Sequence, residues 1–248
     1  MTAYLPETDT FAGLGPATPR VGLRDEVYER ILKLLLAGTV EPGTRLGIDS
    51  LARQLGVSPT PVREAFVELE RTGLVTREAL KGYRVAPPLS AKQYGELLEA
   101  RTMLETTAAR LAAPVAPTFL AQLREAHDAH RVSVDRILGY VADGRGEADV
   151  EAAADFYAKD SAFHRVIFEH CGNRYVSGMS DSLGAQLHRM RQVVHSGVPD
   201  AREALAEHEL ILEAFEGTGG GVTPEEAMRR HVEQVRRRAL NLDVQQSG

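Results

Sequence analysis

The 248-residue chain has a single cysteine, Cys171, and no tryptophan. One thiol excludes an intrachain disulfide and any metal site built on paired cysteines. It suits a reducing compartment, so a cytoplasmic location is expected. Aromatic residues make up only 6% of the chain, whereas 43% of residues are hydrophobic. The core must therefore be built from Leu, Val, Ile and Ala, which suits packed helices better than a β-sandwich. No apolar run approaches the roughly 18 residues of a membrane span. The N-terminus lacks the basic and apolar stretches of a secretory signal. Neither a membrane partner nor export is expected.

Positive charge is also scarce. The formal net charge is −6, which on average disfavours nucleic acid. The average hides a split, because residues 20–86 carry 11 basic and 9 acidic residues, against 18 and 24 in residues 87–248. Only the first of these segments has a basic excess, and it is small.

Residues 1–19 are rich in Thr, Pro, Gly and Ala and read as an arm. From Leu23, apolar residues at Val27, Ile31, Leu34 and Leu35 predict a helix ended by Gly38. A turn at Pro42-Gly43 precedes a second helix, from about Ile48 to Leu55, stopped by Gly56. Ser58 is an N-cap and Pro59 sits at the first helical position of a third helix, which runs to about Thr72. Leu74-Val75-Thr76 and Tyr83-Arg84-Val85 predict two short strands joined by a wing through Lys81 and Gly82. Pro87-Pro88 ends this domain, residues 20–86, and opens a linker, residues 87–90.

The remainder, residues 91–241, reads as an antiparallel helical bundle followed by a tail, residues 242–248. Its first helix is capped by Ser90 and presents Leu97, Leu98, Met103 and Leu104 as its apolar positions. Further helices are predicted from about Pro117 to Val141, Ala148 to His170 and Arg174 to His195. The last two are capped at Asp200 and Thr223, with a flexible break at Gly217–Gly221 between them. The fold class is thus mainly α: a winged helix-turn-helix with a small β-wing, then an all-α bundle.

Helix, helix, turn, helix and wing is an arrangement that reads DNA, with the third helix entering the major groove. Ser58 and Thr60 at its N-terminus suit phosphate oxygens. Arg63 can fork onto a guanine edge. Lys81 and Gly82 at the wing can reach the minor groove.

In the bundle, ionisable residues stand on apolar stripes, where they are normally excluded. Asp160 and His164 are one helical turn apart beside Phe156, Phe163 and Ile167. His208 lies among Leu205, Leu212 and Phe215, and His231 among Ala227, Met228 and Val235. Three imidazoles and a carboxylate from three helices predict a divalent metal centre, with zinc first and nickel, manganese or iron as alternatives. Four protein ligands in an octahedral arrangement leave two positions open. His127, His130, His170, His188 and His195 lack the pattern and read as surface or pocket-rim residues.

The stretches Glu41-Pro42-Gly43-Thr44-Arg45-Leu46, Leu51-Ala52-Arg53-Gln54-Leu55-Gly56-Val57-Ser58 and Thr60-Pro61-Val62-Arg63-Glu64-Ala65, with Leu69 and Gly73-Leu74-Val75, resemble the GntR family of bacterial transcription regulators. The resemblance implies operator contacts from Thr60, Arg63 and Gly82, with Arg45 in the matching stretch placed beside them. Two positions depart from the family pattern. Pro59 stands where an arginine often reads a base, and Gly47 caps the second helix where serine is usual. Beyond Ser90 the chain resembles the FadR branch, with its FCD-type ligand-binding domain. The matching features are Arg101 and Glu105, Asp160 and His164 followed by Asn173, and the two later histidines. This implies a metal held by Asp160, His164, His208 and His231, a small carboxylic acid effector and a homodimer. Arg101 would grip the acid's carboxylate, with Asn173 and Arg191 as further ligand-binding candidates.

The expected function is a DNA-binding regulator, a repressor before an activator, on a pseudo-palindromic double-stranded operator. It is not expected to be an enzyme. Three alternatives differ in what the metal does: it could itself be the signal, it could be purely structural, or its open positions could serve a metal-dependent enzyme.

Overall fold

The computed structural model describes residues 21–36, 40–78, 82–113, 115–142, 150–191 and 199–246. The arm, Gly38, Lys81 and the predicted loop at residues 143–146 lie outside them. So do the side chains of His188 and Arg191, and His195 altogether.

The first unit begins with α1 (Val21–Leu36), β1 (Arg45–Leu46), α2 (Ile48–Leu55) and α3 (Pro59–Arg71), and ends with β2 (Val75–Glu78) and β3 (Gly82–Val85). Helix α3 is amphipathic: Val62, Ala65, Phe66 and Leu69 recur at helical spacing and are fully buried, while Arg63 and Glu64 face outward. Phe66 stacks on Tyr83 of β3 with ring centroids 4.6 Å apart, which fixes the wing against α3. Helix α2 stops because Gly56 turns left-handed, with φ +68°. The Val57 amide then donates back to the Ala52 carbonyl at 3.0 Å.

The sheet has three antiparallel strands in the order β1-β3-β2. The sequence reading anticipated two. Strand β1 is only two residues long, too short for an alternating pattern, and exists because Arg45 and Leu46 pair with Arg84 and Tyr83. Gly82 takes φ +92°, a left-handed conformation natural to glycine. In α1 the buried positions are Val27, Ile31, Leu32 and Leu35, whereas Leu34 is 38% exposed. Leu32, not Leu34, completes the stripe.

The bundle comprises α4 (Ala91–Leu111), α5 (Pro117–Ala142), α6 (Val150–His170), α7 (Arg174–Arg191), α8 (Pro199–Glu216) and α9 (Pro224–Gln246). Ser90 and Gln93 form a reciprocal capping box on α4. Thr223 caps α9 by accepting the Glu226 amide at 3.2 Å. Helix α8 starts one residue before Asp200, because Pro199 fits the first turn, so Asp200 is not the cap. The glycine run expected to be a flexible break is a hydrogen-bonded turn. The amides of Thr218 and Gly219 both donate to the Glu213 carbonyl, at 3.0 and 3.2 Å. A side chain at Gly219 would press on the Ala214 backbone at 3.2 Å. This turn sets where α9 begins, and with it the position of His231.

Phe119, Leu123, Phe163, Ile167, Ile211 and Met228 form the centre of the bundle core. Helix α4 departs from its expected apolar face. Met103 is 72% exposed, while the charged residues Arg101 and Glu105 are buried at 5% and 2% exposure. The helix has turned its ion pair inward, which requires polar partners inside the bundle. Helices α1 and α3 of the first unit rest against α6 and α7.

Candidate functional site

Five helices send polar side chains to one point in the bundle. Helix α6 brings Asp160 and His164, α8 brings His208, α9 brings His231, α4 brings Arg101 and Glu105, and α5 brings His130. His164, His208 and His231 are all buried, and each offers a ring nitrogen within 4.8 Å of the others. The Nε2 atoms of His164 and His208 lie 3.1 Å apart. Two nitrogens about 2.1 Å from a common ion are about 3.0–3.4 Å apart at octahedral or tetrahedral angles, so this spacing fits a shared cation. Asp160 Oδ1 stands 3.7 Å from His208 Nε2 at the more exposed edge of the cluster.

The far side of each ring has its own partner. His231 Nδ1 donates to Glu207 Oε2 at 2.8 Å. Glu207 is in turn held by the Arg238 guanidinium, with Nη2 at 3.0 Å from the same oxygen. His164 Nδ1 is 3.1 Å from Glu105 Oε2, a contact not aligned for a hydrogen bond. A carboxylate beside Nδ1 favours the tautomer protonated there and leaves Nε2 as a lone pair. His208 Nδ1 meets His130 Nδ1 at 3.0 Å, and Phe163 stacks flat on the His208 ring with centroids 4.3 Å apart.

Electrostatics favour the neutral imidazole at His130, His208 and His231. Burial pushes His208 well below the ordinary histidine range, and the neighbouring histidines and Arg101 further disfavour a proton there. Burial also lowers His231, partly opposed by its bond to Glu207. His130 is pushed down to about 4, again mainly by burial. A neutral ring is the form that ligates a metal. Burial alone would raise Glu105, but the Arg101 guanidinium and His164 hold its carboxyl well below the usual range. Burial works against the Arg101 cation, yet Glu105 and Asp160 outweigh it and raise its pKa.

Arg101 is engaged by side chains of the cluster itself. Its Nε donates to Glu105 at 2.6 Å. Its Nη2 reaches His164 Nε2 at 3.1 Å and His231 Nε2 at 3.3 Å. The guanidinium is thus inserted among the imidazoles. Beside the cluster is a cavity of about 170 Å³, lined by Asp160, His164, Ser161, Arg165, Phe168 and Ser180 among others. Neither Arg101 nor Asn173 lines it. Asn173 Oδ1 accepts the amides of Tyr175 and Val176 at 3.0 and 3.3 Å and caps α7.

Two histidines read as surface or rim residues prove to be internal: His130 is 0% exposed and His127 6%. The signal was present. Leu123, His127, His130, Val134 and Ile137 follow one helical stripe, the same criterion that singled out His208. Glu207 and Arg238 had no such signal, because their importance depends on where α8 and α9 cross.

At the other end of the chain, Ser58, Thr60 and Arg63 are all exposed at the start of α3. Ser58 occupies the N-cap position, but its hydroxyl makes no capping bond. Arg45 is exposed on β1, next to the β3 strand that Gly82 begins. Arg84 braces the wing, donating to Glu78 at 2.6 Å and to the Gly43 carbonyl at 2.8 Å.

Two family models match the chain: "Bacterial regulatory proteins, gntR family" over residues 23–85 and "FCD domain" over residues 96–234. The probable D-xylose utilization operon transcriptional repressor of Paenarthrobacter nicotinovorans is 30% identical over 86% of this chain and 87% of its own. The regulator YdhC of Bacillus subtilis is 26% identical over 84% of each chain. The solved structure of Escherichia coli McbR/YncC shares the fold, with a TM-score of 0.66, 22% identity, and 92% of this chain and 100% of that chain covered. No helix among the described residues is long and apolar enough to cross a membrane. A winged helix-turn-helix joined to a helical bundle, both matched by family models, makes this chain a transcription regulator of the GntR family with an FCD ligand-binding domain.

Proposed function

We propose that the chain is a homodimeric, operator-binding repressor whose DNA affinity is set by a small carboxylic acid at a divalent metal centre in the bundle. The observation that carries this reading is the convergence of His164, His208 and His231 from three helices, with a second partner on the far nitrogen of each ring. Asp160, His164, His208 and His231 would hold the ion, zinc before nickel, manganese or iron, and Asp160 would partly offset its charge. The metal would supply Lewis acidity and open positions for a carboxylate. Arg101, already at the cluster, would meet the bound acid's charge, with Arg191 and Asn173 as further contacts. The cavity beside Asp160 and His164 suits a ligand of only a few heavy atoms.

On the DNA side, α3 would enter the major groove. Arg63 would read a base, Ser58, Thr60 and Arg45 would hold phosphates, and Lys81 and Gly82 would extend the wing. The contact of α1 with α6, the helix that carries Asp160 and His164, supports a route from the metal centre to the DNA-reading unit. A coupling of about 1–3 kcal/mol would suffice for substantial release. The test is operator affinity, with metal present, across a panel of small acids. Unchanged affinity throughout would remove the acid as effector. Asp160→Ala should retain operator binding and lose metal, and one metal per subunit in that variant would move the site elsewhere.

A second reading makes the metal itself the signal. It draws support from Arg101, whose guanidinium holds two of the Nε2 atoms a metal would need. Metal titrated against operator affinity without acid separates the two readings.

A further inference from the structure

We infer that His130 is the positioning residue of the metal ligand His208, fixing its tautomer and ring angle across the contact between the two Nδ1 atoms. The inference rests on the metal-centre reading above.

An imidazole can ligate through Nε2 only if its proton is on Nδ1, and it holds that tautomer best when Nδ1–H has an acceptor. His164 and His231 have carboxylates in that place, Glu105 and Glu207. Among the described residues, His208 has none there. Its Nδ1 lies 3.0 Å from Nδ1 of His130, and both residues are 0% exposed. Two ring nitrogens at that distance share one proton, so one ring must donate and the other accept. With the His208 lone pair turned to the metal on Nε2, its proton lies on Nδ1. His130 then accepts on Nδ1 and carries its own proton on Nε2.

Ring packing holds the two imidazoles in place, while His130 Nε2 is buried with no hydrogen-bond partner among the described residues. Phe163 fixes the plane of His208 by stacking at an interplanar angle of 10°. Phe156 lies against His130 with centroids 5.2 Å apart. Helix α5 contributes no proposed ligand of its own, so His130 ties that helix to the centre. A neutral acceptor also differs from a carboxylate in kind. It orients His208 without adding a further negative charge to a cluster that already holds Glu105, Asp160 and Glu207.

The test uses the full-length protein and Zn²⁺ as probe, in competition with a chromophoric chelator. His130→Leu removes the acceptor at similar bulk and is expected to weaken zinc binding by about 10–100-fold. His130→Asn places an amide oxygen near the Nδ1 position and should restore affinity to within a few-fold of the parent. Nitrogen-15 spectra of the zinc-loaded parent should show His208 protonated on Nδ1 and His130 on Nε2, an outcome independent of whether either variant folds. Undiminished zinc affinity in His130→Leu, an equal loss in both variants, or the opposite tautomers would overturn the inference while leaving the metal centre intact. A parent protein that takes up no zinc would overturn both.

Discussion

His164 and His208 stand on different helices, 44 residues apart, yet their Nε2 atoms are 3.1 Å from each other inside the bundle. Two imidazole lone pairs cannot face one another at that distance without a proton or a cation between them. The Arg101 guanidinium is a cation at the same His164 nitrogen, 3.1 Å away, but its second contact is His231 rather than His208. A metal would be a stronger one, and most of the expected behaviour follows from that competition.

Metal should stabilise the bundle measurably. A ligand at a hundred times its Kd adds about 2.7 kcal/mol to folding stability. For a chain of this length, roughly 2–4 °C in Tm accompanies each kcal/mol. Stripping the parent with a chelator should lower Tm by about 5–10 °C. His208→Ala should respond to the chelator hardly at all, and calorimetry of both proteins with and without it would check this.

Glu105 is the counter-charge of a buried guanidinium, with Nε and Oε1 2.6 Å apart. Removing one partner of such a pair costs about 3–5 kcal/mol, because the remaining charge is left in a poor solvent. Glu105→Ala should lose stability on that scale in urea unfolding. Substituting both Arg101 and Glu105 by Leu should recover much of it. A loss in Glu105→Ala below about 1 kcal/mol would mean that the charge is relieved some other way.

Acid should destabilise the metal-free protein before carboxylates titrate. Burial depresses His130 from an ordinary 6.5 to about 4 and also lowers His208 and His231. Between those pH values the unfolded chain binds protons that the folded chain refuses, so stability is full above about pH 6.5 and falls as pH drops toward 4. His130 alone would contribute a loss of about 3 kcal/mol. Unfolding free energy measured at intervals from pH 8 to pH 4 should show this early decline, and His130→Leu should flatten it.

The proposed reading role of α3 yields a separate prediction. Arg63→Ala should weaken operator binding by about 1–3 kcal/mol and relax the preference at one base pair, read by gel shift on operator variants. Ser58→Ala should weaken binding less and equally across sequences, as expected of a phosphate contact, and should leave the fold intact because its hydroxyl makes no capping bond. Unchanged affinity in Arg63→Ala would show that α3 is not the reader.

Local chemistry in the sequence was enough to specify much of this molecule. Helical spacing of apolar residues, capping residues at Ser90 and Thr223, and the Gly56 stop define elements that depend on neighbours within a few positions. The winged head and the helical bundle were legible for that reason, as was the oddity of His164, His208 and His231 on apolar stripes. Packing decided the rest. The roles of Glu207, Arg238 and His130, the inward turn of Arg101 and Glu105, the exposure of Met103 and the existence of β1 all depend on which residues distant in the chain come within a few ångströms. Periodicity can say that a side chain faces inward, but only the crossing of the helices says what it meets there.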